Sequence, residues 1–91
     1  MKTIAELKRK LIVGTKLHAF NHWLNQDLGV REIGHVQSNS FAFNTEKNGE
    51  IVLSWCMYPK TNEVVFPIDN ENQFIIINPD NKKQILTYTF V

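Results

Sequence analysis

Apolar and polar residues alternate most regularly on either side of Asn48-Gly49, from Ser40 to Tyr58. An Asn-Gly pair between two alternating runs predicts a β-hairpin, because both residues tolerate the left-handed backbone that a tight bend requires. Two turn geometries are open. A two-residue loop sets Phe43 opposite Ser54 and Phe41 opposite Cys56. A three-residue loop over 47–49, with Gly49 in a G1 bulge, sets Phe43 opposite Leu53 and Phe41 opposite Trp55. A one-residue slip exchanges the faces of a strand. Only the second register collects Phe41, Phe43, Ile51, Leu53, Trp55 and Met57 on one side, leaving Ser40, Ala42, Asn44, Val52, Ser54 and Cys56 on the other. Burying a large apolar side chain is worth about 1.5–3 kcal/mol, so burial favours the bulged turn.

The same patterning places the other elements. Thr3-Ile4-Ala5-Glu6 reads as a capping box, and Ile4, Leu7 and Leu11 follow at helical spacing until Gly14. This predicts a short amphipathic helix over 4–12, with Lys8, Arg9 and Lys10 near its C-terminus, where cations suit the dipole. Residues 15–28 fit two patterns: a helix with Leu17, Phe20, Leu24 and Leu28 in a stripe, or a strand running into a turn at Asn25-Gln26-Asp27. The punctuation at Gly14-Thr15 and at that turn selects a strand over 16–23. Residues 30–43 read as one long strand kinked near 37–40, since Val36 and Phe41 fall on opposite phases, as an inserted bulge residue would arrange. Short strands follow at 64–66, ended by Pro67, at 74–77 and at 86–90, with turns at 59–62, 69–72 and 79–82. The expected fold is α+β: a short N-terminal helix packed on a strongly curved antiparallel sheet of about five or six strands, closing into a small SH3-like barrel.

Composition narrows the function classes. The 91 residues are 43% hydrophobic and 21% charged, ordinary values for one globular domain of residues 1–91. A formal charge of +1 excludes both a polyanionic imitation of nucleic acid and a strongly basic wrapper of it. Residues 1–40 nevertheless hold six Lys/Arg against three Asp/Glu, and residues 41–91 four against six. One cysteine, Cys56, cannot form an internal disulfide, and no apolar run approaches the length of a membrane span. The expected location is the cytoplasm.

Three stretches, Leu11 to Leu17, Val36 to Phe41 and Ser54 to Lys60, resemble a pattern found in short proteins of phages and mobile elements of low-GC Gram-positive bacteria. That family has no established activity, so the resemblance carries over no functional residue. It implies a phage or mobile-element origin, and a strand rather than a helix at Lys16 to Trp23.

Candidate chemistry is sparse. His18 and His22 would share a helix face but lie about 13 Å apart on a strand, and Ala19 stands where a metalloprotease motif needs glutamate. Cys56 would need a base and a depressed pKa to act as a nucleophile; beside Ser40 and Ser54 it reads as a small packed residue. Glu46, Glu50, Asp69, Glu71 and Asp80 all lie in or beside turns. No catalytic residue, metal or cofactor is expected.

Two binding classes remain. In the first, the chain is a non-catalytic module that binds a protein partner or a second copy, through apolar groups at Pro67-Ile68 and Phe90-Val91 offered to strand addition. In a phage setting the partner would be a host or phage protein, and the module an anti-defence inhibitor. In the second, Lys8, Arg9, Lys10, Lys16 and Arg31 form a basic face that holds nucleic acid weakly and in a salt-sensitive way.

Overall fold

Thr3 is extended (φ −135°, ψ 158°) and its hydroxyl accepts the Glu6 amide at 3.2 Å, starting helix α1 (Ile4–Lys10) in the computed structural model, which describes residues 1–91. The Glu6 carboxylate accepts from the Thr3 hydroxyl rather than from the Thr3 amide, so only half of the capping box forms. Leu7 and, just past the helix, Leu11 are fully buried, while Ile12 and Val13 are exposed. Seven residues cannot hold a helix alone in water; burial of one face holds this one.

Seven strands follow: β1 (Lys16–Asn21), β2 (Gln26–Val36), β3 (Ser40–Lys47), β4 (Glu50–Met57), β5 (Val64–Val65), β6 (Gln73–Ile77) and β7 (Gln84–Phe90). They form one antiparallel sheet in the order β4-β3-β2-β1-β7-β6-β5. The α+β class with one short helix is as expected from the sequence, and so is the strand at Lys16. The sheet is open, so β4 and β5 remain edges and the barrel does not close. Pro67 and a short 3-10 turn at Thr61–Glu63 confine β5 to two residues, too few to bridge the gap.

Three expectations are corrected. Residues 30–43 are two strands joined by a tight bend, not one kinked strand: the Gln37 amide donates to the Ser40 carbonyl at 2.8 Å, and Ser38-Asn39 form the tip. The irregularity between β2 and β3 falls at Gly34 instead, where a Cβ would collide with the side-chain amide of Asn44. The last strand is not an edge, for β7 pairs with β1 on one side and β6 on the other.

The third correction concerns the central hairpin. Asn48 (φ 54°) and Gly49 (φ 79°) are both left-handed, and Lys47 pairs with Glu50 across a two-residue loop. Such a turn matches strand twist. Phe43 therefore faces Ser54, Phe41 faces Cys56, and Trp55 lies opposite Ala42 on the other side of the ribbon. The bulged register fails because the concave side already has large occupants. Phe43 stacks on Tyr88 with centroids 5.9 Å apart, and Tyr88 stacks on Phe74 at 4.9 Å. Leu7, Leu11, Leu17 and Ile33 fill the remainder of this core. The small residues of β4 are the ones that fit against it.

Candidate docking edge and adjoining cavity

The turn at Asn48-Gly49 decides what β4 presents. With the large odd-numbered side chains turned outward, Ile51 is 74% exposed, Leu53 43%, Trp55 46% and Met57 77%. They form one unbroken row, and Trp55 stands edge-on to His35 of β2 at 5.4 Å. A contiguous apolar row along one strand is a candidate contact surface, whereas a single exposed apolar residue such as Ile68 is ordinary.

The backbone shares the same phase. In a two-residue hairpin the flanking residues form a hydrogen-bonded pair, and pairs of that kind recur at every second residue. From Lys47–Glu50 this assigns the even positions of β4 to bonds with β3. Beyond the strand, Tyr58 keeps to the pattern and donates to the Asn39 carbonyl at 3.3 Å. The amides and carbonyls of Ile51, Leu53, Trp55 and Met57 thus point along the free edge. The strand contains no Pro, no Lys and no bulge, the devices that usually blunt an edge.

Next to the C-terminal half of β4, where the open sheet fails to close, lies a cavity of about 440 Å³. Phe41, Cys56, Tyr58, Phe74, Ile76 and Tyr88 are among its lining residues, with Lys60 and Glu63 also present. Burial pushes the Cys56 thiol up, with Arg31 partly opposing, and pushes up the Tyr58 phenol. Burial also raises Tyr88, reinforced by Cys56 and opposed by Arg31, to about 12. These shifts favour the protonated, unreactive forms, and the lining contains no histidine to serve as a base. Cys56 packs across from Phe41 with Ser54 on its face; Ser40 lies on the opposite face, opposite Met57, contrary to expectation.

The histidines are occupied separately. His18 Nε2 lies 2.8 Å from Asp27 Oδ1, and His22 Nε2 lies 2.6 Å from Thr87 Oγ1. The Gly29 amide, at 2.7 Å, holds the exposed Asp27 carboxyl below its ordinary pKa, helped by His18. No trio of His, Cys, Asp and Glu side chains converges.

Two of the predicted basic residues rest on aromatic rings. Lys8 Nζ sits over the Tyr58 ring at 5.0 Å, and Lys10 Nζ over Phe90 at 5.6 Å. Tyr58 follows β4 and Phe90 ends β7. Arg9 lies between them in sequence, and Lys16 pairs along the backbone with Glu32 at the start of β1. Arg31 is half-buried and acts electrostatically on Cys56 and Tyr88. No helix is long and apolar enough to cross a membrane.

The outward row of β4 was hidden from sequence reasoning by the register choice. The signal that could have found it was the choice of small partners for Phe41 and Phe43. Comparison of the chain with protein-family models, with curated proteins and with solved structures finds no match.

Proposed function

We propose that the chain is a non-catalytic protein-binding module that takes an extended segment of a protein partner against β4. The single observation that carries this is the coincidence on Ile51, Leu53, Trp55 and Met57 of free backbone groups and exposed apolar side chains. Strand addition draws affinity from main-chain bonds and specificity from alternate side chains, and this edge supplies both from the same residues. In the phage or mobile-element setting that the sequence resembles, the partner is a host or phage protein, and occupying it would make the chain an anti-defence inhibitor.

The test is capture of a partner by the tagged chain in the presence of nuclease and about 0.3 M salt, where exposed charge pairs are largely screened. The expected result is a partner retained by the wild type and lost by Trp55→Lys. Retention by Trp55→Lys, or dependence of capture on Lys8, Arg9 and Lys10 alone, would remove the β4 reading.

A further inference from the structure

The edge described above is self-complementary, and we infer that in the absence of another strand it is occupied by β4 of a second copy, forming a two-fold antiparallel dimer. This rests on the proposal that β4 is the docking edge. Only residues with outward amides and carbonyls can pair across a free edge, so odd positions must meet odd positions. Pairing Leu53 with the partner's Trp55, and Ile51 with the partner's Met57, engages all four outward residues of each strand. The axis then passes between the two Ser54 residues. No other register about a two-fold uses the whole of β4.

Side chains and charges fit the same arrangement. The outer row becomes a continuous ladder of Ile51, Leu53, Trp55 and Met57 from both copies, which withdraws their exposed surface from water. The inner face brings together Val52, Ser54 and Cys56, with nothing bulky to clash. Glu50 begins the strand, and Lys60 follows its end with the same parity. Antiparallel pairing sets Glu50 opposite the partner's Tyr58, diagonal to the partner's Lys60, within reach of long side chains. A parallel arrangement would instead set Glu50 beside its own copy. The joined sheet has fourteen strands, two copies of the seven-stranded sheet, and β5 remains its outer edge. One strand per copy covers less than the roughly 800 Å² per partner of a standard interface. The dimer is accordingly a weak one.

Sedimentation of the full chain from about 5 to 500 μM, where weak association becomes populated, reads the equilibrium. The wild type is expected to pass from monomer to dimer. Trp55→Lys should weaken the dimer at least about tenfold, since a charge then enters the ladder. Leu53→Pro removes only an outward N–H and should abolish the dimer while leaving the circular dichroism of the sheet unchanged. Register is read by Ser54→Cys in a Cys56→Ser background. Opposed non-hydrogen-bonded positions have Cα atoms about 4.5 Å apart, within disulfide range. Oxidised glutathione should therefore join two copies, each thiol losing its proton and the glutathione disulfide being reduced.

A monomer at every concentration overturns the inference, as does a dimer indifferent to Trp55→Lys and Leu53→Pro. A dimer that responds to both but gives no cross-link overturns the ladder. The proposed function fails separately. If the chain is monomeric yet Leu53→Pro loses a captured partner, the docking edge stands and the dimer falls. If the dimer behaves as expected while capture ignores Leu53→Pro, the reverse holds.

Discussion

Thr45 faces the core side of β3, opposite Val52, and its hydroxyl oxygen is buried without a hydrogen-bond partner. A polar atom in that position keeps its desolvation cost with nothing to offset it. Thr45→Val, which keeps the branched shape suited to a strand, is expected to stabilise the protein by about 1 kcal/mol. The check is a urea titration in which the midpoint rises and the slope does not change. At this scale the sequence was partly readable. Asn48-Gly49 announced its bend through backbone preference alone, and Thr3 announced the start of α1. The surroundings of Cys56 and Thr45 were not readable, because each depends on which strand lies across from it.

Elements obey a different logic. The two large aromatic residues of β3 are buried, Phe41 at 2% exposure and Phe43 at 1%, while the large residues of β4 face solvent. Phe43→Ala is therefore expected to cost about 3–5 kcal/mol, whereas Met57→Ser should change stability by less than about 0.5 kcal/mol. Paired urea unfolding curves decide this; comparable losses from both would mean the strand is turned the other way. Alternation along 50–57 shows that two faces differ without showing which one is inside. That was settled by Phe74 and Tyr88, which arrive later in the chain and leave room only for Ser54 and Cys56. The bend at Ser38-Asn39 was missed for a related reason: it lacks glycine, and the phase change from Val36 to Phe41 is what either a bulge or a reversal produces. Strand positions were legible, and their partners less so.

Across the whole molecule, Tyr88 joins two halves of the sheet. Its ring lies between Phe43 of the β2–β4 half and Phe74 of β6. Burial raises its phenol from an ordinary 10 to about 12. A pKa raised on folding contributes stability that is complete below the unfolded value and is lost as pH rises through the folded one. The protein should thus weaken between pH 10 and about 12, by roughly 2–3 kcal/mol from this group. Tyr88→Phe keeps the stacking and removes the ionisation, so the variant's decline should be smaller by that amount. Unfolding free energies of the two proteins at both ends of the window test it, and parallel declines would refute it. The α+β class and the single short helix were visible in the chain's alternation and capping signals. Failure to close was not, since it turns on the two-residue length of β5 and on a register the alternation left open.

The position of β7 between β1 and β6 has a consequence for synthesis. As the ribosome delivers the chain, the hairpins β1–β2, β2–β3 and β3–β4 join neighbours in sequence and can assemble while translation continues. β1 has to wait, one flank bare, until residues 84–90 have been made and can slot in beside it. For most of its birth the nascent protein therefore exposes the border of β1, buried in the finished sheet, in addition to β4, and protection by chaperones would matter most in that interval.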